Sequence, residues 1–163
     1  MSSTWNPDAT HARRSVELAL TNVHDGGKPF ACVVVDRATG QVLHEAANQV
    51  AQCGDKTAHA EIVAIRELAA QGRGDLSGCD VYVTAYPCPM CLGALYYAEP
   101  EQVAYAATRE QEGEHCEDGG RCMSLVTFYP QYALDPQARA LPAVQAETPD
   151  PTAPFLEWTS RQG

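Results

Sequence analysis

The sequence predicts an α/β domain in which helices cover a partly parallel β-sheet. Its 163 residues fit one domain that can bury a core without disulfide or metal staples. Residues 30–36 and 41–47 are β-rich runs separated by a turn sequence, which is the pattern of an antiparallel hairpin. After this hairpin, helical and strand patterns alternate along the chain, and such alternation favours a partly parallel sheet beneath helices.

The first helix is predicted over residues 6–24. Asn6 is a suitable N-cap, and Pro7 suits the first helical position because an amide is not needed there. Apolar residues recur at helical spacing and support the assignment, namely Val16, Ala19, Leu20 and Val23.

The later elements are predicted from periodicity and from their Gly, Pro, Thr and Asp boundary residues. They are strands at 30–36 and 41–47, a helix at 58–71, a strand at 80–85, a helix at 88–98 and a strand at 101–107. A less regular segment at 124–130 and a short helix near 135–145 follow. The Pro-rich stretch 147–154 is predicted to be extended.

The composition bears on partners and location. The formal net charge is −10, from 11 Lys and Arg against 21 Asp and Glu. Binding to a phosphate backbone depends on basic residues, so nucleic acid is not an expected partner. The chain has no run of 18 apolar residues that would predict a membrane span, and residues 1–14 do not have the pattern of a secretory signal. We therefore expect a cytoplasmic protein with reduced cysteines.

Two short motifs carry the candidate chemistry. One contains His59 and Glu61, and the other, PCPMC, contains Cys88 and Cys91. The cysteines are three residues apart at a predicted helix start, where both sulfurs can face one ion and the helix dipole favours thiolates. If both helices open from one sheet edge, His59 joins them as a third zinc ligand and leaves one position open for water. Glu61 can take a proton from that water.

Other interpretations of the cysteine pair are possible. A redox pair would leave the His59 and Glu61 motif unexplained. A structural zinc site would need a fourth protein ligand, such as His115, Cys116 or Cys122, and would make the chain a zinc-stabilised binding module without turnover. The two motifs together favour a catalytic zinc, because a structural site has no need of Glu61.

The motifs HAE and PCPMC resemble those of the cytidine deaminase-like superfamily. The resemblance covers roughly residues 26–107 and is closest to bacterial guanine deaminases. It implies a three-layer α/β/α fold with a central five-stranded mixed sheet and one zinc ion per subunit. It also implies that His59, Cys88 and Cys91 are the zinc ligands and that Glu61 is the proton shuttle.

The same resemblance implies a set of substrate contacts. Asn48 matches a family asparagine that bonds to the base, although a turn-forming Asn after a strand is the alternative. The other implied contacts are Phe30, Ala58, Tyr86, Asp118 and Trp158. The sequence departs from the family where Tyr86 replaces a common Glu and where Ala31 replaces a common Gly.

Guanine deaminases are typically domain-swapped homodimers, so the resemblance implies a homodimer here. Residues 146–163 are predicted to be a C-terminal arm of a single zinc-dependent deaminase domain. This arm, anchored by Phe155 and Trp158, either closes the partner's site or packs on its own domain.

The predicted function is hydrolytic deamination of a free nucleobase or a related small aminated heterocycle, with release of ammonia. Guanine is the leading substrate. Cytosine, isocytosine, aminotriazines, pterins and nucleosides remain open as substrates. A tRNA adenosine deaminase is an alternative that the acidic charge balance disfavours.

Overall fold

A computed structural model of the chain describes residues 5–116 and 127–162. The chain divides into two compact units, residues 1–129 and residues 130–163. The first unit carries helix α1 (Ala9–His24), strands β1 (Ala31–Asp36) and β2 (Val42–Ala47), helices α2 (Val50–Cys53) and α3 (Ala60–Ala70), strand β3 (Cys79–Ala85), helix α4 (Pro89–Ala98), strand β4 (Gln102–Ala107) and helix α5 (Arg109–Gly113). Helix α6 (Phe128–Tyr132) spans the division, and a 3-10 turn (Pro136–Ala138) and helix α7 (Ala153–Ser160) follow.

The strands of the described residues form one mixed sheet in the order β2-β1-β3-β4. β1 pairs antiparallel with β2 and β3, whereas β3 pairs parallel with β4 after the crossover through α4. The predicted hairpin and the partly parallel sheet are therefore confirmed.

The prediction of five strands is wrong for the described residues, which contribute four. Of the segment 124–130, which was predicted only as less regular, residues 128–130 belong to helix α6. Pro130 has no amide to donate to a strand ladder, but it is tolerated in the first turn of a helix, where amides have no helical partner.

Helices cover both faces of the sheet, so the first unit has three layers, α/β/α. Side chains alternate along each strand, and successive residues of β1 therefore enter different cores. On one face, α3 and α4 pack on Cys32, Val34, Val81 and Val83. On the other face, Ala12 and Leu18 of α1, together with Trp5, pack on Val33, Val35, Tyr82 and Ala104.

Helix α1 begins two residues later than predicted. Asp8 rather than Asn6 is the N-cap, and its carboxylate accepts a hydrogen bond from the Thr10 amide at 2.7 Å. The Asp8 amide donates to the Tyr82 hydroxyl at 3.1 Å. This tertiary contact with the sheet fixes where the helix starts.

The buried face of α1 is polar as well as apolar, and it comprises Ser15, Ala19 and Asn22. The apolar residues whose spacing indicated the helix point mostly elsewhere, because Val16, Leu20 and Val23 are 36%, 55% and 43% exposed. The periodicity identified the helix but not the side chains that it buries.

The second unit is small and has no buried residue among those described. The helix expected near 135–145 is limited to the 3-10 turn, since Pro142 disfavours helical backbone in the residue before it. Phe155, Leu156 and Trp158 in α7 are all more than 60% exposed. Among the described residues, no helix combines the length and the apolar character needed to cross a membrane.

Candidate active site

Helix α4 begins with the two cysteines of the PCPMC motif. Cys88 is the N-cap, and its Sγ accepts a hydrogen bond from the Cys91 amide at 3.5 Å. Pro89 lies in the first turn, where its missing amide leaves no helical carbonyl unpaired. Cys91 is buried, with 1% of its surface exposed. The start of one helix therefore presents both sulfurs together.

Helix α3 begins with the histidine of the other motif. His59 is its N-cap but makes no capping hydrogen bond with its side chain. The loop before it is held by a bond from the Gln49 amide to the Ala58 carbonyl at 2.9 Å and by another from the Ala58 amide to the Asp55 carbonyl at 3.0 Å. The Asp55 carboxylate also accepts from the amide and hydroxyl of Thr57, both at 2.8 Å.

The two helix starts converge. One ligand atom from each of His59, Cys88 and Cys91 lies within 4.8 Å of the others, and Cys88 Sγ is 3.6 Å from His59 Nδ1. Tetrahedral zinc, with bonds of about 2.3 Å to sulfur and about 2.0 Å to nitrogen, separates such atoms by roughly 3.5–3.8 Å. The donor set and its spacing therefore fit zinc.

The four-ligand alternative is not formed by the residues that the structure describes. Neither His115 nor Cys116 joins a group of metal-ligating side chains within 5–116 and 127–162. Cys122, the third residue considered, lies outside the described residues. Three protein ligands leave one position of a tetrahedral ion for water or substrate, as in catalytic zinc sites.

A hydrogen bond between the two thiols separates their pKa values. The bond with Cys91 lowers the pKa of Cys88 to about 5. The same bond, together with burial, raises the pKa of Cys91. Because zinc binds cysteine as the thiolate, zinc binding displaces the remaining proton, and zinc affinity rises with pH.

Glu61 lies in the first turn of α3, two residues after His59, and only 8% of it is exposed. Burial raises the pKa of its carboxyl group, whereas its hydrogen bond with the Cys91 side chain acts in the opposite direction. A buried carboxylate beside a metal site, with a pKa above its ordinary value, is suited to accept and release protons.

The predicted base contacts Asn48, Phe30 and Ala58 belong to one hydrogen-bonded network. The Asn48 amide donates to the Phe30 carbonyl at 2.9 Å, and the neighbouring Gln49 amide donates to Ala58, the residue before His59. Asn48 Oδ1 accepts from the Val50 amide at 3.0 Å. Asn48 therefore makes the turn that was the alternative interpretation, but this bond uses only its side-chain oxygen.

Tyr86 stands two residues before Cys88. Its amide donates to the Ala107 carbonyl at 3.0 Å, and its ring meets that of Tyr105 edge-on, with centroids 5.1 Å apart. The Arg109 guanidinium lies over the Tyr86 ring, 4.2 Å from its centroid. An aromatic and cationic stack thus occupies the place where the family commonly has a carboxylate.

The remaining substrate-binding predictions lie elsewhere. Asp118 is outside the described residues. Trp158 lies in α7 of the second unit, with 67% of its surface exposed. The roles of both residues remain predictions.

Sequence reasoning missed two contributors to this region, Arg109 and the buried Asn22 of α1. Arg109 is the first residue of α5, two positions after the end of β4, but nothing in its sequence context indicates a ring partner. Asn22 lies three residues after Ala19, on the face of α1 that contacts the sheet. The signal in the sequence was the spacing, because Asn22 falls on the same face of the helix as Ala19.

Comparison with known proteins agrees with this geometry. The family model of the cytidine and deoxycytidylate deaminase zinc-binding region matches residues 6–107. The guanine deaminase of Bacillus subtilis is 35% identical over 151 residues, which cover 91% of this chain and 92% of that protein. A tRNA-specific adenosine deaminase of Agrobacterium fabrum is 36% identical and covers 70% of this chain and 76% of its own.

A solved structure gives the same result for the fold. The crystal structure of guanine deaminase from Bacillus subtilis superimposes with a TM-score of 0.84 at 34% identity and covers 95% of both chains. The predicted α/β deaminase fold is confirmed apart from its strand number. The zinc-binding family and the His-Cys-Cys group confirm the prediction of a zinc cofactor.

Proposed function

Because the chain belongs to the cytidine and deoxycytidylate deaminase family and is a zinc-dependent hydrolytic deaminase, we propose that its substrate is guanine. The observation that carries this proposal is the extent of the similarity. The match to the Bacillus subtilis guanine deaminase continues well beyond the family region that ends at residue 107 and covers 91% of the chain. The match to the tRNA-specific enzyme covers 70%.

In this proposal His59, Cys88 and Cys91 hold the zinc ion. When bound, zinc supplies Lewis-acid activation of a water molecule, whose pKa it lowers towards ~7. The two sulfurs are presented by one helix turn and the imidazole by another, and this geometry supports the assignment.

Glu61 moves the protons. It takes one proton from the attacking water and delivers it to the ring nitrogen N3 of guanine while the water oxygen bonds to C2. It then carries the second proton to the exocyclic amine. The bond from C2 to the amine breaks, ammonia leaves, and a carbonyl remains at C2, so that guanine and water give xanthine and ammonia. The burial of Glu61 and its contact with Cys91 support this role.

Asn48 supplies a donor to the base. Because Asn48 Oδ1 accepts from a backbone amide, the group left for a ligand is the Nδ2 donor, and its complement is an acceptor. Guanine offers the carbonyl at C6 and the nitrogen N7, whereas adenine has no ring carbonyl. Phe30, Ala58 and Tyr86 line the base pocket in this proposal, and the contacts of Asp118 and Trp158 with the base remain predictions from the family resemblance.

A homodimer in the cytoplasm is the proposed assembly, with residues 146–163 as the C-terminal arm that swaps between the two subunits. Phe155, Leu156 and Trp158 support it, since large apolar side chains left 67–69% exposed favour burial against a partner. Light scattering measures the oligomeric state directly. A dimer that Trp158→Ala weakens is expected, and a wild-type monomer at all concentrations would contradict it.

Ammonia release by the zinc-loaded protein tests the substrate. Guanine, guanosine, adenine, cytosine and isocytosine would be compared, with tRNA as a polymeric substrate and Glu61→Gln as the blank. We expect turnover of guanine and none of tRNA, consistent with a net charge of −10. Turnover of another base but not guanine would retain the chemistry and refute the substrate.

A further inference from the structure

A buried amide on helix α1 joins two loops of the first unit. Asn22 is only 7% exposed, and its Nδ2 donates to two backbone carbonyls, that of Lys28 at 2.7 Å and that of Asn48 at 2.9 Å. Both N–H groups of the amide are therefore used. One side chain connects the loop before β1 to the loop after β2.

Gln52 of α2 determines the orientation of this amide. Its Nε2 donates to Asn22 Oδ1 at 2.9 Å. An inverted Asn22 amide would direct its nitrogen at another donor and its oxygen at two carbonyls. All three polar positions of Asn22 are thus satisfied, and a buried polar network in which every group is paired is rigid and specific.

Gly27 provides the space for this arrangement. A Cβ built on it would lie 2.5 Å from Asn22 Nδ2, from Asn22 Oδ1 and from Gln52 Nε2. A side chain at this position would therefore displace the amide itself. Gly26, the other glycine of the turn, has a φ of +85°, and a Cβ built on it would have no atom within 4 Å. Glycine is therefore needed at position 26 for the backbone conformation and at position 27 because a side chain would not fit.

The two joined loops carry the proposed base contacts. The Asn48 amide donates to the Phe30 carbonyl, and the Asn48 side chain is held by the Val50 amide. Losing the bond from Asn22 would free the Asn48 carbonyl and the loop that leads into Phe30. The orientation of the Asn48 donor therefore depends on a residue outside the binding pocket.

We propose that Asn22, supported by Gln52 and by the space at Gly27, is a positioning residue that holds Asn48 for recognition of the base. The choice of guanine as the ligand rests on the proposed function, whereas the positioning of Asn48 by Asn22 does not. Asn22 itself contacts neither the substrate nor the metal in this proposal. Its effect is on substrate binding through Asn48.

The test uses Asn22→Asp, Gly27→Ala and Gln52→Ala in the full-length zinc-loaded protein. Asn22→Asp keeps the shape but replaces the double donor with an acceptor. Gly27→Ala displaces the amide, and Gln52→Ala removes only its orienting bond and is the variant least harmful to folding. Ser15→Ala is the matched control, because Ser15 is a buried polar residue of the same helix whose hydroxyl bonds only to the Ala12 carbonyl.

We expect the three variants to raise KM for guanine by up to about 100-fold, with Gln52→Ala the mildest, since small displacements of positioning groups have effects of this size. Zinc content should be unchanged. Amide hydrogen exchange at Val50, read by NMR, should accelerate in all three because its acceptor on Asn48 is no longer held in place. Ser15→Ala should change none of these quantities.

Gly27→Ala and Gln52→Ala with wild-type KM and wild-type exchange at Val50 would overturn the proposal. An equal rise in KM for Ser15→Ala would also overturn it, because the effect would then be general loosening of α1. If the wild-type protein does not turn over guanine, the proposed substrate fails, while the exchange at Val50 still decides whether Asn22 positions Asn48.

Discussion

Helices α3 and α4 both begin with a residue that we assign to zinc, but they hold it in different ways. At α4 the contact is local, since Cys88 Sγ caps the helix by accepting from the Cys91 amide within one turn, and Pro89 favours the helix start. At α3, His59 makes no capping bond with its side chain and depends on contacts between the loop before it and Gln49.

The positions of the zinc ligands at the two helix starts therefore depend on the sequence in different ways. Five consecutive residues suffice to bring the sulfurs of Cys88 and Cys91 together, because their spacing matches a helical turn. The imidazole reaches them only when the sheet brings both helix starts to the same place. The α3 start also carries Glu61, so it supplies the proton chemistry as well as a ligand, whereas the α4 start supplies ligands.

The largest expected effect is removal of a ligand from the α4 start. Cys91→Ala should lose its zinc and lower turnover by more than about 100-fold, since even residues that only support metal ligands can cost that much. Metal analysis beside the ammonia assay measures both. Cys53→Ser is the control, because Cys53 is exposed and bonds only to a backbone carbonyl. Full zinc occupancy in Cys91→Ala would contradict the ligand assignment.

At the α3 start, Glu61→Gln should separate chemistry from metal binding. The variant keeps the size of the side chain but cannot take a proton, so turnover should fall by ~10² to 10⁴ while zinc remains bound. Steady-state kinetics and metal analysis on the same preparation provide the measurement. If the variant retained turnover within about tenfold of wild type, the assigned role of Glu61 would be wrong.

A smaller effect is expected from the stack of Tyr86, Tyr105 and Arg109, which holds the segment before α4. Arg109→Ala removes the guanidinium over Tyr86, and such contacts contribute about 1 kcal/mol when partly buried. The midpoint of thermal unfolding should fall by about 2–4 °C. Tyr86→Phe keeps the ring face and should change it less. Equal losses in both variants would show that the tyrosine hydroxyl, not the cation, stabilises this segment.

The smallest effect concerns acid stability at the α3 start. Hydrogen bonds from Thr57 lower the pKa of Asp55 below its usual 3.8. A carboxyl group with a lowered pKa in the folded state contributes stability above its unfolded pKa and loses it as pH falls through the lower value. Wild type should therefore be more stable than Asp55→Asn near pH 7, and the difference should shrink as pH falls through the lowered pKa of Asp55.

Thermal unfolding of wild type and of Asp55→Asn from pH 7 to pH 2.5 measures this difference in stability. Asp75→Asn is the matched control, since bonds from Ser77 lower its pKa in the same way in the loop before β3. Both variants should show the acid trend, but only Asp55→Asn should weaken zinc binding. Equal zinc affinity in the two variants would show that the loop before His59 does not need Asp55.

Sequence patterns predicted most of the sheet and the residues of the metal site. Strands β1 and β3 are central and buried on both faces, so they read as apolar runs that are easily recognised. The predicted bounds of these strands differ from the observed ones by one residue. The fifth strand, which only the likeness to the family implied, is wrong for the described residues, whose sheet has four strands.

Helix α1 shows what periodicity cannot decide. Two stripes run along it, an apolar one through Val16, Leu20 and Val23 and a mixed one through Ser15, Ala19 and Asn22. Helical spacing is present in both. The sheet buries the mixed stripe, since the hydrogen bonds of Ser15 and Asn22 to backbone carbonyls offset the cost of removing them from water.

By itself the sequence determined the identity of the chemistry, because ligand spacing and a nearby carboxylate are local properties of two short motifs. The tertiary structure alone decided which side chains support them. Asn22 and Asn48 are 26 residues apart, and Arg109 lies 23 positions beyond Tyr86. Such partners meet only through the packing of sheet and helices, which no local pattern of residues records.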